Sequence, residues 1–364
     1  MNQTNNNNNN NNNNSVVTSI DPEISNALKE EQMQDQNNNF LPNLNFIKKR
    51  NIEDKPINII KRFQKENKPV FIAGPMVRYS KLPFRQLVRD YKTDIVYSPM
   101  ILAREFVRNE NARLSDFTTN NFDRPLIVQV GVNNVTDLLR FVEMIHPFVD
   151  GIGINCGCPI KEQVREGIGA ALMSNKELVS DMIYQVKKIY GDKICIETKI
   201  RVHDNINETI EFVKSVENAG VDFITVHENV NIPVIANGDC FSLKDAYDII
   251  KYTKCDGVMA VRGILNNPGL FAGFDKCPWG AIEKFWDYST AYGLPFRLIQ
   301  HHLSCMMEGL IDRKSLIGLN ETNDLIELLE WFDSKYDLKR PGEEGFGEGI
   351  NVPIREDRNN MAHL

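Results

Sequence analysis

From Val70 onward the chain alternates between two hydrophobic periods. Short β-branched or apolar runs, each ending in Gly, Asn or another polar residue, are followed by stretches with apolar residues at helical spacing. The pattern predicts strands at Val70–Ala73, Asp94–Ser98, Leu126–Val130, Gly151–Asn155, Ile194–Lys199, Asp222–His227, Ile232–Asn237 and Gly257–Val261. Between them it predicts helices at Leu82–Tyr91, Val135–Ile145, Lys176–Tyr190, Glu208–Asn218 and Leu243–Tyr252. Eight strands alternating with helices imply an α/β fold of the (β/α)8 TIM-barrel type, with a doubly wound sheet as the alternative.

The alternation stops near Phe271. Beyond it, Trp279–Tyr288, Pro295–Leu310 and Asn323–Phe332 carry apolar residues at i, i+3 and i+4, which predicts a small all-helical domain. The expected organisation is a tail over 1–45, a barrel over 46–275, the helical domain over 276–336 and a second tail over 337–364. The first tail holds an unbroken Asn run from Asn5 to Asn14, and the second is rich in Gly and Glu. Neither has enough apolar surface to offset the entropy of ordering, so both are expected to be disordered.

One crossover is missing. Only Glu228, Asn229, Val230 and Asn231 separate the sixth strand from the seventh, whereas a parallel crossover takes about a dozen residues or more. Five Cα–Cα steps reach about 18 Å, barely enough to return along one strand and step sideways. The barrel is therefore expected to lack the helix between its sixth and seventh strands, with apolar surface uncovered there. A lost segment of about 25 residues, the size of a neighbouring βα unit, explains this better than a natural distortion.

Composition adds limits. Hydrophobic residues make up 42% and charged residues 25%, the profile of a soluble globular protein. A net charge of −7 argues against a protein that coats nucleic acid non-specifically, although a local basic groove remains compatible with it. Seven dispersed cysteines without a secretory leader suggest a reducing compartment, cytoplasmic or nuclear. No run is long and apolar enough for a membrane span.

In such a barrel the chemistry sits at the C-terminal ends of the strands. Those ends carry Pro75-Met76, Gln129, Asn155 with Cys156-Gly157-Cys158-Pro159, Lys199 and Arg201, His227, Asn237-Gly238-Asp239, and Arg262-Gly263. Polar or cationic groups at nearly every strand end are hard to explain by packing. The last two loops stand where these barrels commonly hold a phosphate. Lys199 and His227 end adjacent strands and face one mouth, although a lone His at such a place is commonly structural. A thiol is mostly protonated at neutral pH, so Cys158 is a candidate proton donor. The bland alternatives are a small buried hydrophobe or half of a metal site. No second close ligand pair exists, so no metal is expected.

Together, Ala73-Gly74-Pro75-Met76-Val77, Asn155-Cys156-Gly157-Cys158-Pro159, Lys199-Ile200-Arg201, Val226-His227, Asn237-Gly238-Asp239 and Arg262-Gly263 resemble the tRNA-dihydrouridine synthases. The resemblance covers about residues 69 to 335, and Val77–Arg85 looks most like the eukaryotic type-4 branch, which acts on D-loop uridines 20a and 20b. It implies an FMN-binding barrel followed by a helical tRNA-binding domain, with NADPH or NADH as reductant. It also implies hydride transfer from flavin N5 to C6 of a flipped-out uracil and a proton from Cys158 to C5. Pro75, Met76, Gln129, Lys199 and His227 would contact the isoalloxazine. Asn237, Gly238, Asp239, Arg262 and Gly263 would hold the phosphate, and Asn155 and Arg201 would face the substrate. Where the family continues the strand-six His with Gly-Arg and a substrate loop, this chain has Glu228-Asn229.

Basic residues Arg297, His301, His302, Arg313 and Lys314 on the C-terminal helices, with Arg104 and Arg108, are candidates to meet tRNA phosphates. No membrane and no stable protein partner are expected. Two other readings stay open at this point: a small-molecule FMN oxidoreductase of dihydroorotate type, and an inactive product of a truncated gene.

Overall fold

The computed structural model describes residues 53–226 and 232–355, together with Leu41, Leu44, Ile47, Lys48 and Arg50. Nine parallel strands follow in order: β1 (Val70–Ala73), β2 (Ile95–Tyr97), β3 (Ile101–Leu102), β4 (Leu126–Gly131), β5 (Gly151–Cys156), β6 (Cys195–Ile200), β7 (Phe223–Thr225), β8 (Val234–Asn237) and β9 (Gly257–Ala260). Each pairs with its neighbour, and β1 pairs with both β2 and β9, so the sheet closes. Nine strands make eight staves. β2 pairs with the start of β4 and β3 with its end, and Ser98-Pro99-Met100 interrupts the stave between them. The (β/α)8 barrel is thus the architecture.

Alternation along the strands builds the core. Val70, Ile72, Ile95, Tyr97, Ile127, Cys195, Phe223, Ile235 and Met259 meet inside the barrel. The helix Pro56–Lys65, not read from the sequence, closes the base by adding Ile57 and Ile60 to that core. Its single short apolar face precedes the first strand, where the alternating pattern has not begun. Below the staves a buried ion network fastens the chain: Arg85 donates to Asp123 at 2.6 Å, and Arg50 pairs with Asp150 at 3.4 Å.

The crossover helices match the predicted periods closely. Val135–Ile145 and Lys176–Tyr190 begin after Asn134 and Asn175, whose side chains accept from Asp137 N–H and Leu178 N–H. Such caps satisfy donors that the first helical turn leaves free. Ile206–Asn218 and Leu243–Thr253 start after Asn205 and Ser242 in the same way.

Two expectations need correction. The outer wall at the short crossover is not bare. Phe223 and Ile235 point inward, so Ile224, Val234 and Ala236 face outward, and all three are buried. Strands this short present few outward side chains to cover. The second correction concerns the chain after 337, which is packed at least as far as Arg355. Gly280 N–H donates to Gly349 O at 2.7 Å, Glu283 accepts from Gly347 N–H at 2.7 Å, and Tyr336 bridges Ile354. This order comes from backbone hydrogen bonds to a helix distant in sequence, which composition does not reveal. The expected tail over 1–45 lies outside the described residues except Leu41 and Leu44, both buried.

The helical segment comprises Trp279–Ala291, Phe296–Met307, Arg313–Glu321 and Leu325–Lys335. It docks on the barrel through Tyr288 Oη, which donates to Asp90 at 2.8 Å, and His302 Nε2, which donates to Tyr79 O at 3.2 Å. Among the described residues, no helix is long and apolar enough to cross a membrane.

Candidate active site

A cavity of about 840 Å³ opens at the C-terminal ends of the staves. Its wall includes Pro75, Gln129, Asn155, Cys158, Lys199, Arg201, Asn237, Gly238, Asp239, Arg262 and Gly263. Residues from six distant segments thus converge on one space, because parallel strands all deliver their ends to the same face. Met76 does not join them: it is buried, and its N–H donates to Ser80 Oγ at 2.9 Å. The expected ring contact from Met76 is therefore withdrawn, since the turn after β1 spends that residue on its own closure. His227 lies outside the described residues.

Asn155 has a task the sequence did not suggest. Its Oδ1 accepts from both Gly157 N–H and Cys158 N–H at 3.1 Å, so the carboxamide shapes the loop that carries the thiol. The loop is braced from the other side, where Ala170 N–H donates to Cys158 O at 2.8 Å. Gly169 makes that approach possible. Its φ is +66°, and a Cβ there would stand 2.6 Å from Cys158 O. Cys158 ends partly exposed on the cavity wall. Cys156, two residues earlier, is fully buried, and burial pushes its thiol well above the usual range, so it stays protonated and inert.

Lys199 pairs in register with Asn155 on one side and Thr225 on the other. Burial lowers its affinity for a proton, while the nearby Glu197 carboxyl and Cys158 act against that and Arg201 adds to it. Glu197 is wholly buried beneath, and burial pushes it up to about 8. Arg201 is exposed at the rim.

On the opposite wall the loops after β8 and β9 meet. Asn237 Nδ2 donates to Met259 O at 3.0 Å, tying the two strand ends together. Asp239 and Arg262 form an exposed ion pair, and the Arg262 guanidinium lies 5.5 Å from the Phe241 ring centroid. A Cβ on Gly263 would collide with Cys240 O, so this glycine lets the loops touch. Gly238 is different: nothing stands within 4 Å of where its Cβ would be, which leaves its backbone open to the cavity.

Met100, Thr225 and Phe241 also line the cavity and were not anticipated. Scanning strand ends for polar groups passes over apolar ones. Met100 sits in the break between β2 and β3, which no period marks. Among the basic candidates on the helices, Arg297, His301, Arg313 and Lys314 are exposed, as are Arg104 and Arg108. His302 is fully buried among Tyr79, Phe84 and Phe285, and burial pushes it down to about 3. It cannot meet a phosphate, and its role is to join helical segment and barrel.

The family profile described as Dihydrouridine synthase (Dus) matches residues 71–228 and 226–348. The chain belongs to this family. A Saccharomyces cerevisiae relative named tRNA-dihydrouridine(20a/20b) synthase, NAD(P)+, is 56% identical over 330 residues, covering 83% of this chain and 90% of the relative. A Schizosaccharomyces pombe relative of the same name is 43% identical over 321 residues, 82% and 97% of the two chains. A Homo sapiens relative, named as like that synthase, is 39% identical over 290 residues, 74% and 92% of the two.

The lengths of these matches bear on the short crossover. The two family matches meet at residues 226–228, where the crossover is short. In the first alignment, 83% of 364 residues falls roughly 28 short of the 330 aligned positions, the size of one βα crossover. The S. pombe alignment shows a shortfall of similar size. Each alignment thus contains roughly 20–30 positions that this chain does not fill.

Proposed function

We propose that this chain is a tRNA-dihydrouridine synthase: a flavin-dependent reductase of D-loop uridine that draws electrons from NAD(P)H. One observation carries the reading. Cys158, on a loop braced from both sides, shares a cavity with Lys199 and with the paired loops at Gly238 and Arg262. Small-molecule chemistry on the same barrel is set aside by family membership.

FMN fits the residues present. The cavity volume lies in the range usual for cofactors, and one wall offers an open glycine backbone beside a guanidinium. Gly238, Asp239, Arg262 and Gly263 would hold the phosphate and Asn237 would fix the strand ends beneath it. Pro75, Gln129 and Lys199 would border the ring. Bound there, FMN would supply the hydride for C6 of uracil. Cys158 Sγ would then deliver its proton to C5 from the facing wall. Arg201, exposed at the rim, would meet the incoming nucleotide, and Asn155 would act by holding the Cys158 loop in place. The target base must leave its stack to enter a cavity this deep. The exposed basic residues on the C-terminal helices would meet tRNA phosphates, in a cytoplasmic or nuclear setting.

The short crossover favours a second reading for this exact chain: flavin is held but turnover is weak, because the loop that follows β7 in the relatives is shortened. A visible absorption spectrum of the purified chain is the first test, followed by dihydrouridine formation on unmodified tRNA. Flavin released on denaturation together with tRNA reduction supports the main reading. Flavin without reduction supports the second. A colourless protein sinks both.

A further inference from the structure

Directly beneath the cavity floor the barrel holds a polar cluster where a TIM barrel ordinarily stacks aliphatic layers. Glu197 on β6 is wholly buried, with Tyr97 from β2 and Thr225 from β7 buried beside it. Within the described residues, neither carboxylate oxygen makes a hydrogen bond of ordinary geometry, nor does the hydroxyl of Tyr97 or Thr225. A buried, unpaired carboxyl is costly and calls for a reason. The barrel makes room for it: a Cβ on Gly153 would lie 2.6 Å from Glu197 Oε2 and 3.1 Å from Tyr97 Cε1. Lys199 stands two residues further along the same strand, hence on the same inward face one layer higher. That layer is the cavity floor, which Lys199 and Thr225 both line.

We propose that Glu197 is a positioning residue beneath the cofactor: its carboxyl, one layer below Lys199, sets how much positive charge the floor presents to a bound flavin. The inference rests on the flavin reading above. The ionisable groups near Glu197 are few. Tyr97 faces it from β2, Cys195 and Lys199 share its strand, Cys156 on β5 lies within electrostatic reach, and β7 contributes only the Thr225 hydroxyl. Burial keeps the Tyr97 hydroxyl and both thiols protonated well beyond neutral pH. Glu197 therefore changes charge before the tyrosine or either thiol. Pushed up to about 8 by burial, it is neutral at pH 7 and then cancels none of the positive charge at Lys199, whose own hold on its proton burial weakens. Above that pH the carboxylate forms and cancels it. A positive floor favours reduced, anionic flavin over oxidised flavin, so the preference should weaken as Glu197 ionises.

The test compares the purified chain with Glu197→Gln, measuring bound FMN by absorbance and its midpoint potential from pH 6 to pH 9.5. The expected result is equal flavin content in both proteins and equal potentials below about pH 7. Above about pH 8 the parent should lose at least tenfold in its preference for reduced flavin relative to the variant, about 30 mV for a two-electron couple. Parallel curves over the whole range overturn the proposal while leaving the flavin site standing. If Glu197→Gln does not fold, Tyr97→Phe carries the test. The Tyr97 hydroxyl favours the ionised carboxyl, so its loss should move the onset to higher pH, and an unmoved onset overturns the proposal. A parent chain that holds no flavin overturns the functional reading and this inference together.

Discussion

The barrel has a strong side and a weak one. β5 and β6 are six residues long and pair along their whole length, from Gly151 with Cys195 to Cys156 with Ile200. β7 has three residues and β8 four, and they share only the pairs Ile224–Val234 and Thr225–Ile235. At about 3.3 Å per residue, the first pair spans nearly twice the height of the second. The difference follows the connections. Helix Lys176–Tyr190 carries the chain from β5 to β6, so both strands run to the mouth and deliver Asn155 and Lys199 there. Eight residues join Thr225 to Val234, fewer than the dozen or so that a parallel crossover ordinarily takes. Short as they are, β7 and β8 still bring Thr225 and Asn237 to the same cavity, so the crossover sets the length of a stave more than its arrival at the chemistry.

The sharpest way to break this comparison is to repair the weak side. Inserting between His227 and Glu228 a crossover of about 25 residues, the size of a neighbouring βα unit, should raise tRNA reduction by roughly 100-fold or more, the scale of positioning effects. Equal rates with and without the insert would show that the weak side does not limit turnover. On the strong side, Cys158→Ala should lower dihydrouridine formation by about 10²–10⁴-fold with FMN still bound, the range expected for a lost general acid. Turnover at the parent rate would remove Cys158 from the mechanism.

Two glycines test the wall between β8 and β9. Gly263→Ala should destabilise by about 1–3 kcal/mol, because its Cβ meets the Cys240 carbonyl. Gly238→Ala has open space and should change stability by no more than about 0.5 kcal/mol while weakening FMN binding. Denaturant midpoints and a flavin titration separate the two, and a strongly destabilised Gly238→Ala would contradict the open backbone.

A separate effect concerns pH. Burial pushes His302 down to about 3, below its unfolded value near 6.5. Stability from the neutral ring is complete above about pH 6.5 and declines as pH falls toward 3, since only the unfolded chain takes up the proton there. His302→Phe removes that dependence, so the variant should gain on the parent as pH drops from 6.5 to 4. Parallel urea midpoints across that range would show that His302 carries no such linkage.

The alternating periods alone specify the barrel, because half-buried strands and amphipathic helices each imprint their own spacing on the chain. The matches at Val135–Ile145 and Lys176–Tyr190 show how fully local spacing determines those elements. Strand-end chemistry was legible for the same reason: in a parallel barrel every strand delivers its last residues to one face, so position in sequence implies position in space. The short link after His227 was visible as arithmetic on chain length. Other features depended on which groups meet across the barrel. Asn155 bracing the Cys158 loop and Met76 N–H tied to Ser80 are local turns that no hydrophobic period marks, whereas His302 buried at a junction and residues 337–355 strapped to a distant helix are contacts between segments far apart in sequence. The buried Glu197 is the clearest case. Along the strand it is one polar residue in Cys195-Ile196-Glu197-Thr198-Lys199. Only closure of the barrel removes its water, brings Tyr97 and Thr225 against it and places it under Lys199.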